Sequence, residues 1–178
     1  AKAEARFEAS GEAVASSNRA GAGAGVALAT GSVSTFSRLV LRDNRAVTVG
    51  GGLLLEAASQ LSVDWAAASS NEASTSCGGG IAVLSSSTFS STSSTYVNEN
   101  QAACGAGIYA EGAALVALNG ETIVATNYAQ YDGGGAALST SASLNVSGTA
   151  TFTGNRALGG AGASITDASV MSFRGPLV

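Results

Sequence analysis

The chain has 178 residues, of which 46% are apolar, 6% aromatic and 11% charged, with a net charge of −4, 24 glycines, one proline and no histidine. That is about one domain, too apolar for a disordered segment, too poor in charge for a coiled coil and too acidic for a nucleic-acid partner, which would want a basic face. No apolar run approaches the ~18 residues needed to span a bilayer, and the lack of histidine removes the commonest general base and metal ligand together.

In chain order, residues 1–12 carry Lys2, Glu4, Arg6, Glu8 and Glu12 and no apolar core. They read as a polar first turn and not as a signal peptide. From residue 13 to 168 one pattern repeats. The tripeptide Asn-x-Ala begins at Asn18, Asn44, Asn71, Asn100, Asn127 and Asn155. Each is followed by a Gly-(Gly/Ala)-Gly triplet, ending at Gly25, Gly52, Gly80, Gly107, Gly135 and Gly162. From each of these glycines to the next Asn the count is 19 or 20, whereas the Asn-to-Gly segment varies from 7 to 9. A near-constant spacer with the slack in one short loop is the signature of a solenoid.

Each repeat alternates with period two. After the triplet, Val26/Leu28, Leu53/Leu55, Ile81/Val83, Ile108/Ala110, Ala136/Leu138 and Ala163/Ile165 would point inward. So would Ala13/Ala15, Leu39/Leu41, Ala66/Ala68, Thr95/Val97, Thr122/Val124 and Ala150/Phe152 before each Asn. A mid-spacer column reads Val33, Leu61, Phe89, Val116, Leu144 and Val170. Three short alternating segments per ~27 residues predict one coil of a β-helix each, about six coils in all, with residues 169–178 as a partial last coil or tail. Glycine triplets would break helical repeats of the same length. Coils ~4.8 Å apart set like residue upon like. The glycines are expected to supply positive φ at a sharp turn, and the asparagines to bond amide to amide as a ladder.

Phe152-Thr153-Gly154-Asn155 followed by Gly160-Ala161-Gly162-Ala163 resembles the paired FxxN and GGA(I/L/V) repeats of the polymorphic outer-membrane proteins, whose passenger domains are similar to pectin-lyase-like parallel β-helices. The resemblance implies a right-handed parallel β-helix and an extracellular or cell-surface role in adhesion or surface architecture.

The two cysteines, Cys77 and Cys104, stand one repeat apart, each directly before its glycine triplet. Stacked coils place their Cα atoms within reach of a disulfide, which would fit an oxidising, extracytoplasmic setting.

Chemistry is harder to find. Asp43, Asp64, Asp132 and Asp167 fall at different phases of the repeat, so no facing carboxylate pair of the kind glycoside hydrolysis needs is expected. Glu56 and Glu111 share a phase but lie two coils apart, with Leu84 between them. The triplets recur without a P-loop lysine. No catalytic, cofactor or metal site is assigned, and the chain reads as a non-enzyme. Matched threonine rows would signal ice binding, but among the outward positions before each Asn only Thr149/Thr151/Thr153 show them. The outward residues of the first strand, Ala27, Leu54, Ala82, Tyr109, Ala137 and Ser164, form an apolar stripe that could contact a partner. Trp65 also falls on an outward phase, and Asn145, in the sequon Asn145-Val146-Ser147, would present a glycan acceptor.

The sequence thus predicts a structural or adhesive β-helix module of one domain, residues 1–178. Its partners would be a protein or glycan surface, or sister copies stacked end to end. An ice-binding β-helix and a degenerate polysaccharide-active enzyme are the rival readings.

Overall fold

A computed structural model describes residues 6–178; Lys2 and Glu4 of the expected polar turn lie outside the described residues. The described chain is all strand and turn, and every strand pairing is parallel. Three sheets line a β-solenoid of about six coils. Sheet A has nine strands, sheet B five and sheet C six. Each coil runs from a sheet C strand (such as Leu53–Leu55) into sheet A (Gln60–Ser69), then through a short sheet B strand (Glu72–Ala73) and back to sheet C (Ile81–Leu84). Arg6–Ser16 is already a sheet A strand, paired with Val33–Arg42 from Arg6 onward.

The interior follows from the alternation. Leu39, Leu41, Leu53, Leu55, Leu61, Ile81, Phe89, Ile108, Leu118, Leu138 and Leu144 are all essentially without exposure. Alanine fills the narrow corner beneath sheet B at Ala73, Ala102 and Ala129. Fully burying one such aliphatic side chain stabilises by about 1.5–3 kcal/mol. One coil cannot bury its own core, so each depends on its neighbours.

Two spacer segments that read as separate in the sequence are one bent strand in the second and third coils, Val33–Arg42 and Gln60–Ser69. In these coils a single residue, Ser37 or Asp64, turns the bend. The fourth coil needs two, Thr92 and Ser93, between the paired Ser91 and Ser94, and the register shifts there. In the fifth coil Asn119, Gly120 and Glu121 divide the strand into Leu115–Leu118 and Thr122–Ala125. This extra residue accounts for the change from 19 to 20 in the spacer count.

The mid-spacer column needs correction at both ends. Val33 pairs with Gln60, and Ser34 pairs with Leu61; Val170 pairs with Ser143, and Met171 with Leu144. The inward positions are therefore Ser34 and Met171, nine residues after their triplets like the rest, while Val170 is exposed. Backbone register counts residues, and it overrides the apolar identity of a side chain one position away.

The corners use left-handed backbone throughout. Between sheets C and A, pairs such as Ala57/Ala58, Ser85/Ser86 and Thr140/Ser141 both have positive φ. The amides of Ser87 and Ala142 close these turns on Leu84 O and Ser139 O, which is a type I′ turn. Between sheets A and B one left-handed residue precedes each Asn: Ser17, Asp43, Ser70, Glu99, Thr126 and Gly154. Within the triplets only the first glycine has positive φ, as at Gly50 and Gly78. The third glycine serves close approach instead. A Cβ on Gly80 would lie 2.6 Å from Gly107 O and 2.9 Å from Asn100 Nδ2. The expectation that whole triplets supply positive φ thus holds for one residue in three.

Candidate functional site

The asparagines form a ladder inside the corner between sheets A and B. Asn71 Nδ2 donates to Asn100 Oδ1 at 3.0 Å and to Leu41 O at 3.0 Å. Its own Oδ1 accepts from Asn44 Nδ2 at 3.0 Å and from the Asn44 amide at 3.1 Å. Asn100 and Asn127 repeat the pattern, ending on Asn155. Asn18 enters it by donating to Asn44. Asn44, Asn71, Asn100 and Asn127 are buried, and each fills both donor and both acceptor positions of its amide. The third glycines pack against this column, so the two recurrent residue types of the sequence form one seam.

Cys77 and Cys104 are joined by a disulfide, with Cα atoms 4.6 Å apart. It ties the third and fourth coils just before Gly78 and Gly105. Asp132 occupies the same column one coil further on, paired with Cys104.

The apolar stripe of sheet C is not exposed. Leu54 is 3% accessible, Ala82 0% and Ala137 7%, and Tyr109 is half-buried with its hydroxyl 3.4 Å from Ser139 Oγ. Only Ala27 is exposed, and Ser164 is partly so. The cause is the neighbouring corner. The first glycine of each triplet folds over the strand that follows, so that a Cβ on Gly50 would lie 2.7 Å from the Leu54 Cβ and one on Gly78 2.6 Å from the Ala82 Cβ. Burial pushes the Tyr109 phenol above its ordinary pKa, the Ser139 hydrogen bond opposes that, and Glu111 adds to it.

The aromatic surface lies on sheet A instead. In one outward row Glu12 pairs with Arg38 at 3.3 Å. The Arg38 guanidinium sits 3.8 Å from the centre of the Trp65 ring. Trp65 and Tyr96 are 5.6 Å apart, tilted by 46°, and the Tyr96 hydroxyl donates to Glu121. That bond to Glu121 holds the Tyr96 phenol above its usual pKa. Five successive coils are thus linked side chain to side chain. The adjacent outward row, Val14, Val40, Ala67, Tyr96, Ile123 and Thr151, is aliphatic apart from its aromatic and its hydroxyl. Trp65 and the rows of outward positions around it were legible in the sequence; the contacts that join them were not, because their members differ in type at every coil.

Sheet B offers a polar groove walled by Glu72, Ser74, Gln101, Tyr128 and Gln130. Arg45 reaches in to bond Glu72 at 2.7 Å, and Ser74 donates to the same carboxylate. The four aspartates sit at separate places. Asp43 and Asp167 hold left-handed corners, Asp64 accepts from Thr92 at the bend of sheet A, and Asp132 lies in the disulfide column. Glu111 pairs with Leu84 in sheet C. Asn145 is exposed on sheet A, and its Oδ1 accepts from Ser172.

Among the described residues no group of three or more His, Cys, Asp or Glu side chains could hold a metal ion, and no helix is long and apolar enough to cross a membrane. No known protein family, curated protein or solved structure matches the chain.

Proposed function

We propose that this chain is a non-enzymatic extracellular module of structural or adhesive type, a rigid building block of a surface or filament. The observation that carries this reading is the seam. Four consecutive buried asparagines have every amide hydrogen-bonding position filled from coil to coil, and a disulfide staples the middle of the stack. Such a column fixes the coils while leaving the outer faces free to vary, which suits a scaffold that presents surface. The disulfide favours an oxidising compartment. The likeness of Phe152–Asn155 and Gly160–Ala163 to the outer-membrane FxxN and GGA repeats supports the adhesive side of the reading and a β-helix of the pectin-lyase type. The dispersal of the aspartates supports a non-enzyme, since acid–base hydrolysis needs two carboxyl groups facing one bond.

The test is retention against turnover. The purified chain should be retained on cell surfaces or matrix material, or appear within an assembled layer by electron microscopy. It should release no products from a panel of acidic and neutral polysaccharides. Measured polysaccharide cleavage, or thermal hysteresis in an ice-growth assay, would replace this function by one of its rivals.

A further inference from the structure

Two outward rows of the second half of sheet A have a property that neither the fold nor the proposed function requires: across their four central coils they are self-complementary under reversal. Along the row nearest the bend, the coils present Glu12, Arg38, Trp65, Ser94, Glu121 and Thr149. Read backwards, the same row sets Arg38 against Glu121 and Trp65 against Ser94. The next row, Val14, Val40, Ala67, Tyr96, Ile123 and Thr151, reversed sets Val40 against Ile123 and Ala67 against Tyr96. At these four pairings opposite charges meet, each aromatic faces a small residue and aliphatic faces aliphatic; in the two end coils Glu12 faces Thr149 and Val14 faces Thr151.

A single symmetry operation performs this reversal. A two-fold axis lying in the plane of the face and parallel to the strands turns one copy's face toward the other. It keeps each position along the strand and exchanges the first coil with the sixth, the second with the fifth and the third with the fourth. Such an interface is isologous, the commonest kind in homodimers, and leaves the strands of the two sheets aligned, as in sheet-on-sheet packing.

We infer that this chain pairs with a second copy of itself, face to face through the Arg38–Trp65–Tyr96–Glu121 surface of sheet A, with the two solenoids antiparallel. The anchoring side chains are already held in place. Arg38 is stacked on Trp65 and braced by Glu12, and Glu121 is held by Tyr96, so little side-chain freedom remains to be lost on docking. Trp, Tyr and Arg are also the residue types that dominate interface energetics. With the third outward row, in which Ser69 meets Asn98 and Arg42 meets Ala125, six coils by three outward positions measure on the order of 450 Å² per copy. The total, about 900 Å², is below the standard interface size, which makes this a weak, concentration-dependent dimer. This lateral contact is separate from end-to-end stacking of coils, and it stands or falls independently of what the module adheres to.

Sedimentation velocity over a concentration series reaching the millimolar range tests the inference, together with the emission of the sole tryptophan. The expected result is a concentration-dependent rise in sedimentation coefficient from monomer toward dimer, accompanied by a blue shift of Trp65 emission. Ala67→Arg, which places a long charged side chain opposite Tyr96, should abolish both. Arg38→Glu sets carboxylate against carboxylate and should weaken association at least tenfold. The swap Arg38→Glu with Glu121→Arg should recover it, with circular dichroism melts confirming that each variant is folded. A chain that stays monomeric throughout, a dimer indifferent to Ala67→Arg, or a charge swap that fails to restore what Arg38→Glu removed would overturn the inference.

Discussion

Two side-chain ladders cross the same coils, and they obey opposite rules. The asparagine column of the seam is dry and built of one residue type repeated. The Glu12–Arg38–Trp65–Tyr96–Glu121 chain of contacts, which steps into the adjacent row at Tyr96, is wet and changes type at every step. Inside the corner an amide must satisfy the amide above and the amide below, and only asparagine both donates and accepts at that reach. On the outer face water completes whatever the neighbour does not, so a salt bridge, a cation–π contact, an aromatic pair and a hydroxyl–carboxylate bond can follow one another. Uniformity is imposed where solvent is excluded.

The largest expected effect sharpens this contrast. Asn100→Ala removes the acceptor of the Asn71 amide and of Asn71 Nδ2, and the donor to Ala68 O. Leaving those buried groups unpaired should cost about 3–5 kcal/mol, seen as a fall in the urea midpoint. Removing the outer row's Arg38 side chain should cost less than about 1 kcal/mol, as for other exposed pairs; similar costs for both would break the comparison. Next comes Gly80→Ala. Its Cβ meets the backbone oxygen of Gly107 and the amide of Asn100, and overpacking of this kind costs about 1–3 kcal/mol, measurable in the same unfolding assay.

A third substitution should stabilise. Thr95 and Thr122 are fully buried and paired across two coils, and their hydroxyl oxygens have no hydrogen-bond partner. Thr122→Val keeps the shape and removes the unpaired hydroxyl, for a gain of about 1–2 kcal/mol. A loss on chemical denaturation would show that the dry interior tolerates this polar group better than the seam's logic allows. Thr126→Gly should gain up to about 1 kcal/mol, since a β-branched residue there adopts φ 53° where the next coil uses Gly154; the greater unfolded-state freedom of glycine offsets part of it.

The smallest effect concerns titration. The hydrogen bond to Glu121, followed by desolvation, raises the Tyr96 phenol above its ordinary value of 10.0. Raised folded pKa means that the neutral phenol is the form the fold favours. Its contribution to stability is present below about pH 10 and is lost as pH rises through the folded value. Glu121→Gln should shift one tyrosine step in an ultraviolet titration to lower pH; an unchanged curve would show that the bond does not persist in solution.

Much of this was legible in the sequence, and the misses share a cause. The coil count, the inward columns of sheets A and C, the asparagine column and the cysteine pairing were all available, because each rests on a residue lying above its own counterpart. Val33 and Val170 were misplaced because apolar identity was followed in place of the count from the glycines. Leu54, Ala82 and Ala137 were expected on the surface because alternation says which way a side chain points. It does not say what lies over it. The left-handed residues before each asparagine escaped notice because Ser17, Asp43, Glu99 and Thr126 share a conformation and no chemistry.

What the sequence determined by itself, then, is the winding: a fixed spacer and a two-residue alternation leave the backbone one way to set like on like. What only the tertiary structure decided is which outward columns are outside. That depends on how far a corner leans over the next strand, which is a matter of backbone direction at a few left-handed residues. No periodicity along the chain records it.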